Sequence, residues 1–397
     1  MYKLAKRATM AQNSELAAMF KMLEEPGIIS FSGGFPDPKW YLDEVKQIEA
    51  EIMANKKDEA LSYGPTPGLT PFREFLAERL CGEGIATKLE NIMITHGSLQ
   101  GLDLVCRIFL DEGDHVIIES PTYIGAILTI QPYGVNFVGI PVDDDGMQVE
   151  ALEETMSELA KKGITPKFIY TIPSFQNPTG TMMSLARRRD LVRVAQRYGV
   201  PIVEDHAYGE LKFEGELLPT LAELGGIENV IHLGTLSKIF SPGVRLGWLV
   251  AHPSIIEKAV YFKQGMDQCS NSMGQLLALE YGRRGLIEKQ IAVTRSALKE
   301  KASVTLENLQ KLMPEGTSFT VPQGGFYTWV SVPGDFDSVK ALGRAVKEFK
   351  VAYVAGPSFY HDRRGPNQMR ICFSLPDPEI IPEGIRRLAA AVKAWES

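Results

Sequence analysis

The sequence predicts an α/β fold in which a mostly parallel sheet of about seven strands is joined to a smaller α+β domain. Three observations predict it. Short apolar runs rich in β-branched residues alternate with helical patterns, one interval between runs is too short to hold a helix, and the last hundred residues follow a different pattern. The chain has 397 residues, of which 44% are hydrophobic and 23% are charged, as in ordinary globular proteins.

Short apolar runs bounded by turn residues supply the predicted strands of the sheet. Each run is too short for a helix and is apolar on both faces, as parallel strands covered by helices are. Helical patterns lie between the runs, and in 98–113 the residues Leu99, Leu102, Cys106 and Phe109 recur at helical spacing. The predicted strands are 91–97, 115–121, 167–174, 200–206, 229–235 and 245–252.

The last two of these runs are separated only by a short segment rich in turn residues. A parallel crossover needs about a dozen residues or more and usually contains a helix. We therefore expect the strand at 245–252 to run antiparallel to its neighbours.

The two ends of the chain are expected to form the smaller domain together. A long helical stretch over 285–312 leads to strand-like runs, to a helix over 337–349 and to a closing helix over 379–395, a pattern typical of an α+β domain. The first 60 residues hold too little apolar material for a core of their own and are expected to pack against this domain. The predicted units are an N-terminal segment 1–60, a large domain 61–290 and a small domain 291–397.

Charge and hydropathy exclude several classes of function. The chain has 42 Lys and Arg against 49 Asp and Glu, a net charge of −7 without long blocks of like charge, which argues against nucleic-acid and anionic-membrane partners. No run approaches the ~18 apolar residues of a membrane span, and the start lacks a secretory signal. We expect a cytoplasmic protein without a metal site, whose four widely spaced cysteines are reduced: Cys81, Cys106, Cys269 and Cys372.

Polar side chains follow the carboxyl ends of five predicted strands, which is where open α/β sheets bind ligands. Taken singly, each has an ordinary explanation as a helix cap, a turn residue, a surface ion pair or a solvated lysine. Gly97 and Ser98 open a helix whose free N–H groups suit a phosphate. The other side chains are Tyr123, Asn177, Asp205, Tyr208, Thr235, Ser237, Lys238 and Arg245.

Together these groups suit a phosphorylated pyridine aldehyde. Its phosphate would take the helix N-terminus, the hydroxyl groups and Arg245, and its ring nitrogen would take Asp205. Its phenolic oxygen would take Asn177 and Tyr208. Its aldehyde would form a Schiff base with Lys238, which accounts for a lysine placed among small hydroxyl residues.

Three motifs carry a resemblance to a known family: SFQNPTG (174–180), VEDHAYGEL (203–211) and GTLSKIFSPGVRLGW (234–248). They resemble the fold-type I aminotransferases of class I/II, which use pyridoxal 5′-phosphate (PLP). The resemblance covers almost the whole chain, including ISFSGGFPDP, LSYGPTPGLTPFREFLAERL and MRICFS. Within the class it is to the branch of α-aminoadipate, kynurenine and multi-substrate aromatic aminotransferases, marked by the proline-containing SKIFSPGVR. It implies the PLP-dependent transferase fold of type I.

The resemblance also implies a role for each matching residue. Lys238 matches the Schiff-base lysine, Asp205 the partner of the pyridinium nitrogen, and Arg370 the arginine that grips the substrate α-carboxylate. Tyr63 matches a tyrosine that reaches the phosphate of the neighbouring subunit, which implies a homodimer with shared sites. The remaining matches are the O3′ donors Asn177 and Tyr208, the ring-stacking Tyr123, the phosphate contacts Ser98, Leu99, Thr235, Ser237 and Arg245, and the substrate contacts Gly34, Tyr123 and Asn177.

The implied reaction moves the amino group of an L-amino acid to a 2-oxo acid such as 2-oxoglutarate, in ping-pong order. Lys238 would act as general base at the substrate Cα, and Asp205 would keep the ring nitrogen protonated. One alternative is a PLP lyase, of the C–S lyase or cyclopropane-forming synthase type. The other is a non-catalytic ligand sensor in a transcription regulator, which is expected to add an upstream winged helix and a basic recognition helix that this sequence does not show.

The substrate side chain is the least determined feature. Members of this branch that select an acidic side chain place an arginine on the N-terminal helix, and the first 60 residues contain one arginine, Arg7. With Phe35 and Trp40 nearby, we expect a neutral substrate, aromatic or aliphatic, although the same residues could serve only as packing. The matching stretch 14–23 offers Ala17, Ala18, Met19 and Phe20, with Lys21 as its one cation.

Overall fold

A central eight-stranded sheet forms the core of the large domain. The structure is a computed structural model that describes residues 2–9 and 26–395. Its strands are fully buried in the middle of the sheet, as their apolar character on both faces predicts. In spatial order the strands are β2 (Ile92–Thr95), β9 (Gly247–Val250), β8 (Val230–Thr235), β7 (Ile202–Asp205), β6 (Ile169–Thr171), β3 (His115–Ser120), β4 (Asn136–Asp143) and β5 (Gly146–Met147).

The strand directions confirm the predicted mostly parallel sheet. Strand β9 runs antiparallel to both β2 and β8, as the short interval before it requires. Strand β4, which pairs parallel with β3, is absent from the runs recognised in the sequence, because Gly139 and Pro141 interrupt its apolar pattern. The two-residue strand β5 adds a third antiparallel pairing, with β4 at the edge of the sheet.

Helices cover both faces of this sheet. The predicted helix after β2 is Ser98–Phe109, which ends earlier than the pattern over 98–113 and buries Leu102, Val105 and Cys106. The other helices of the large domain are Thr70–Gly82, Ile124–Ile130, Val149–Lys161, Leu185–Tyr198, Leu221–Gly225, Pro253–Met266 and Ser272–Arg283. Among the described residues, we find no helix with both the length and the apolar character needed to cross a membrane.

The C-terminal part of the chain forms a second sheet with helices packed on it. In spatial order its strands are β10 (Ser318–Phe319), β11 (Tyr327–Ser331), β14 (Gln368–Cys372) and β13 (Val354–Ala355), all antiparallel. The long helix Leu286–Leu312 leads into this domain, and the helices Ser338–Lys347 and Ile381–Lys393 pack on it. Its core includes Val330, Ile371 and Leu388.

The N-terminal segment contributes to both units. Strand β1 (Ile29–Ser30) pairs parallel with β12 (Val351–Ala352) of the small domain. The helices Glu44–Asn55 and Lys57–Leu61 pack instead against Ser272–Arg283 of the large domain. A buried ion pair between Asp37 and Lys301, 2.9 Å apart, holds the chain between these two contacts. The short helix Lys6–Thr9 precedes residues 10–25, which lie outside the described part.

Candidate active site

A cavity of about 210 Å³ lies where the carboxyl ends of the central strands meet the small domain. Short turns after β2, β3, β6, β7 and β8 and strand β14 bring its walls together. Of the thirteen residues to which the resemblance assigns a cofactor or substrate contact, Tyr63 is the one that does not line this cavity. The twelve that do are Gly34, Ser98, Leu99, Tyr123, Asn177, Asp205, Tyr208, Thr235, Ser237, Lys238, Arg245 and Arg370.

Lys238 follows β8 and extends its amine into this cavity. Its Nζ donates a hydrogen bond to the Gly34 carbonyl, 2.8 Å away, and lies near the rings of Tyr208 and Phe326. Burial, together with the positive charge of Arg370, lowers the pKa of Lys238 to about 8, although Cys372 and Asp205 oppose the shift. A larger neutral fraction near neutral pH makes more of this amine available as a nucleophile and general base than in an ordinary lysine.

The lowered pKa of Lys238 gives a testable reactivity. In the protein without cofactor, we expect a small amine-selective acylating reagent to modify Lys238 at a rate that rises with pH, is half-maximal near pH 8 and levels off above it, because only the neutral amine reacts. The side-chain amine of Nα-acetyl-lysine in the same buffers should reach half of its maximal rate only near its ordinary pKa of about 10.4. Peptide mass spectrometry measures both rates, and a Lys238 profile matching that of the free amino acid derivative would contradict the expected pKa.

Asp205 ends β7 with one carboxylate oxygen paired and the other unpaired. Its Oδ2 accepts a hydrogen bond from the Tyr170 hydroxyl at 2.8 Å, whereas the buried Oδ1 has no hydrogen-bond partner among the described residues. Burial raises the pKa of Asp205 to about 6, although the Tyr170 hydroxyl opposes the shift. A buried, unpaired carboxylate oxygen beside a cavity is suited to a cationic N–H donor such as a pyridinium nitrogen.

An anion pocket forms where β2 passes into the helix Ser98–Phe109. Gly97 has a φ of +75°, and a Cβ on Gly247 would lie 2.7 Å from the Ser98 nitrogen, so glycine at both positions keeps the helix N-terminus open. The Thr235 hydroxyl donates to the Ser237 Oγ at 2.9 Å on the other side. Arg245 donates through Nη2 to the His96 carbonyl at 3.3 Å. Free amides, two hydroxyls and a guanidinium suit a phosphate.

Arg370 lies on strand β14 of the small domain, opposite Trp329 of strand β11. Its Nη1 donates to Asn177 Oδ1 at 2.9 Å and its Nη2 to the Ser32 carbonyl at 2.6 Å, while its buried Nε has no partner among the described residues. The guanidinium lies between the rings of Tyr327 and Phe359, 4.4 and 5.0 Å from their centroids. A guanidinium fixed in this way can bind a carboxylate by its planar fork.

Phenol and amide groups fill the space between Lys238 and Arg370. The Asn177 Nδ2 lies 3.5 Å from the Tyr208 hydroxyl, and that hydroxyl lies 3.0 Å from the hydroxyl of Tyr327. Burial raises the pKa of Tyr123 to about 12 and that of Tyr208 well above its ordinary value, so both phenols stay neutral and can donate. Asn177 and Tyr208 are therefore able to donate hydrogen bonds to a phenolate oxygen in the cavity.

Sequence reasoning missed three aromatic residues of the site. Tyr170 was counted only as part of an apolar strand, although a phenol inside a buried strand needs a hydrogen-bond partner. Tyr327 and Phe359 lie on separate segments of the small domain, and only the fold brings both against Arg370.

The expected substrate contacts are only partly described. Phe35 lines the cavity, whereas Trp40 packs in the core, where the Lys301 amine lies 4.9 Å from its ring. Arg7 is exposed on the helix Lys6–Thr9 and does not line the cavity. The expected side-chain contacts of 14–23, namely Ala17, Ala18, Met19, Phe20 and Lys21, lie outside the described residues.

The donor set as a whole fits PLP. The unpaired Oδ1 of Asp205 offers an acceptor for the ring nitrogen, and the open helix N-terminus with Arg245 offers donors for the phosphate. Asn177 and Tyr208 offer donors for the phenolic oxygen, and the Lys238 amine lines the same cavity. The combination of acceptor, anion pocket and amine matches what this cofactor requires of a protein.

Comparisons with known proteins agree with this geometry. The family model for aminotransferase class I and II matches residues 28–388. The chain is 39% identical over 382 residues to "Aromatic-amino-acid aminotransferase 1" of Thermococcus litoralis, covering 96% of this chain and 91% of that protein.

Two solved structures have nearly the same fold. The kynurenine aminotransferase of Pyrococcus horikoshii, solved with PMP, superposes with a TM-score of 0.95 at 43% identity, covering 99% of this chain and 98% of that one. The α-aminoadipate aminotransferase LysN of Thermus thermophilus, complexed with N-(5′-phosphopyridoxyl)-L-leucine, gives a TM-score of 0.91 at 37% identity, covering 98% and 97%. The chain therefore belongs to the class I and II aminotransferases and is a PLP-dependent enzyme of fold type I.

Proposed function

We propose that this enzyme moves the amino group of a neutral L-amino acid, aromatic or aliphatic, to a 2-oxo acid such as 2-oxoglutarate in ping-pong order. The observation that carries the proposal is that a single cavity holds the partly buried amine of Lys238 and the buried guanidinium fork of Arg370. Amino donor and oxo acceptor both carry an α-carboxylate, so both need the same arginine. They must therefore occupy the site in turn.

Each predicted residue has a task in this scheme. Bound PLP supplies an electron sink for the electron pair left when the substrate Cα loses its proton. The Lys238 Nζ removes that proton and later returns one, for which a pKa near 8 is suited. The Asp205 Oδ1 accepts the ring N–H and, as a buried carboxylate, keeps that nitrogen protonated.

The other residues hold the cofactor and the substrate in place. Asn177 and Tyr208 would donate to the phenolic oxygen, and Tyr123 would stack on the pyridine ring. Arg370 holds the substrate α-carboxylate, with Gly34 against the substrate. The residues that would hold the phosphate are Ser98, Leu99 through its N–H, Thr235, Ser237 and Arg245.

The lining of the cavity supports a neutral substrate side chain. Its charged side chains are Asp205, Lys238, Arg245 and Arg370, and each already has a task. Among the described lining residues no further cation is left to pair with a side-chain carboxylate, whereas several apolar groups remain: Phe35, Ile124, Val354 and Phe359. The relatives named for aromatic amino acids and for kynurenine support a neutral side chain, whereas LysN is named for α-aminoadipate although its structure holds a leucine adduct.

Steady-state kinetics tests the substrate and the order of binding. With 2-oxoglutarate as acceptor, we expect kcat/KM for phenylalanine, tyrosine or leucine to exceed that for 2-aminoadipate, because no spare cation lines the described cavity. Double-reciprocal plots at several fixed acceptor concentrations should give parallel lines, as ping-pong order requires. A preference for 2-aminoadipate would contradict the neutral pocket, and intersecting lines would contradict the order.

We also propose a homodimer with shared sites, on the basis of Tyr63. This tyrosine is 86% exposed and follows the helix Lys57–Leu61, outside the cavity of its own chain. A large aromatic residue left so exposed is suited to contact a second copy of the chain, where its hydroxyl would reach the phosphate of the cofactor.

The four cysteines are free, which supports the further proposal that the enzyme works in the reducing cytoplasm.

Mixed dimers test the contribution of Tyr63. Lys238→Ala and Tyr63→Ala are expected to be impaired separately, the first in chemistry and the second in PLP affinity. If Tyr63 serves the partner's site, refolding the two variants together produces heterodimers that each contain one intact site. Half of the sites in the heterodimers should then regain PLP affinity and turnover. Measuring activity while PLP is titrated from low concentration would detect this recovery. No recovery in confirmed heterodimers would show that Tyr63 does not act across the interface.

A further inference from the structure

Tyr327 lines the cavity, but none of the tasks above uses it. It is the first residue of β11 and is 1% exposed. Its hydroxyl oxygen lies 3.0 Å from that of Tyr208, and its ring lies 4.4 Å from the Arg370 guanidinium carbon. It therefore touches both a residue proposed to hold the cofactor and the residue proposed to hold the substrate.

Glycines on two sides make room for Tyr327 in this position. A Cβ on Gly180, which has a φ of +71°, would lie 2.3 Å from the Tyr327 carbonyl oxygen. A Cβ on Gly34 would lie 2.2 Å from the Tyr327 hydroxyl. The Gly34 carbonyl in turn accepts the hydrogen bond from Lys238. The Tyr327 phenol thus packs closely against Gly34, whose carbonyl also accepts the Lys238 hydrogen bond. This close packing limits movement of the Tyr327 ring.

We propose that Tyr327 is a positioning residue that acts on the cofactor through Tyr208: its hydroxyl donates to the Tyr208 oxygen and thereby directs the Tyr208 O–H to the phenolic oxygen of PLP. This inference rests on the proposed role of Tyr208. The ring of Tyr327 has a separate effect, because its face supports the guanidinium of Arg370.

Hydrogen-bond geometry explains why Tyr208 needs this partner. A tyrosine hydroxyl has one proton to donate and can accept at its oxygen. The Asn177 Nδ2, at 3.5 Å, is a weak donor to that oxygen, whereas Tyr327 at 3.0 Å is well placed. When the Tyr327 proton occupies the oxygen, the Tyr208 proton is left to point into the cavity. Hydrogen bonds in a chain also polarise one another, so Tyr208 becomes a stronger donor.

Tyr327→Phe removes the hydroxyl and keeps the ring. A weaker donation from Tyr208 leaves the phenolic oxygen more basic, so the pH midpoint of the holoenzyme's visible absorption should rise by roughly 0.5 unit. We expect kcat to fall about fivefold, the equivalent of one neutral hydrogen bond, with little change in KM for the amino acid. Tyr327→Leu, which also removes the ring, should in addition raise KM about fivefold through Arg370.

Tyr353→Phe is the matched control. Tyr353 is equally buried, and its hydroxyl donates to the Ser338 carbonyl at 2.8 Å in the small domain. Removing this hydroxyl therefore deletes a buried hydrogen bond that does not involve Tyr208. We expect its absorption midpoint and kcat to equal those of the wild-type enzyme. A midpoint shift in Tyr353→Phe as large as that in Tyr327→Phe would overturn the proposal, because it would reflect general loss of packing.

A double-mutant cycle decides whether Tyr327 acts through Tyr208. In a Tyr208→Phe background, Tyr327→Phe should produce no further shift of the midpoint, because the hydroxyl through which it acts is gone. Additive shifts, or a Tyr327→Phe midpoint equal to that of the wild type, would overturn the proposal. If the wild-type holoenzyme fails to transfer an amino group, it is the proposed function that fails, and the titration still reports on the pair of hydroxyls.

Discussion

Replacing Lys238 by alanine is expected to lower the rate of amino transfer by at least about 10⁴-fold, because it removes both the covalent anchor and the base that moves the Cα proton. The protein should remain folded. Since burial lowers the pKa of Lys238, the charged amine is disfavoured in the folded state, and its loss is not expected to reduce stability. PLP should still bind through its phosphate and ring contacts.

Chemical rescue distinguishes a missing base from a damaged fold. A small primary amine such as methylamine can enter the space left in Lys238→Ala and should restore part of the rate in proportion to its concentration. Lys258→Ala is a suitable control, because Lys258 is an exposed lysine that does not line the cavity, and it should keep wild-type activity. Substantial steady-state turnover by Lys238→Ala without added amine would contradict the assignment.

Asp205→Ala is expected to produce the second largest loss, about 10²- to 10³-fold in kcat. A pyridine nitrogen without a carboxylate partner loses its proton more readily, and a neutral ring accepts the developing negative charge poorly. The buried carboxylate has a raised pKa in the absence of cofactor, so its burial costs stability. We therefore expect Asp205→Ala without cofactor to melt no lower than the wild-type protein.

A cofactor analogue provides the test of charge at this position. PLP methylated on its ring nitrogen carries a fixed positive charge, and the alanine side chain leaves space for the methyl group. The analogue should raise the activity of Asp205→Ala and not that of the wild-type enzyme, in which the methyl group would meet the carboxylate. Asp103→Asn, which alters a carboxylate paired with Arg107 outside the cavity, should behave as wild type with both cofactors. Equal activity of Asp205→Ala and wild type with PLP would contradict the role of the carboxylate.

The large domain could be predicted from the sequence because its determinants are local. Apolar runs specify the strands, the short interval before 245–252 specifies the reversal of β9, and the rule for strand ends places Asp205 and Lys238 at one edge. Strand β4 was missed because Gly139 and Pro141 interrupt the local pattern on which such predictions depend.

The contacts around Arg370 could not be derived from local pattern. Arg370 was identified through the family resemblance, and its neighbours Tyr327 and Phe359 come from distant segments of the chain. Their arrangement depends on how the small domain docks against Asn177, to which Arg370 donates across the boundary. The hydrogen bond from Tyr170 to Asp205 likewise joins neighbouring strands, and no spacing within the sequence specifies it.

The most direct test of amino transfer follows the nitrogen atom itself. The holoenzyme is incubated with a ¹⁵N-labelled mixture of L-amino acids from which glutamate is omitted, with and without unlabelled 2-oxoglutarate, and the products are analysed by mass spectrometry. We predict ¹⁵N-glutamate in amounts equal to the 2-oxo acids formed from the donors, and no multiple turnover without 2-oxoglutarate. Continued release of ¹⁵N-ammonia without any oxo acid would contradict amino transfer and would instead identify a PLP lyase.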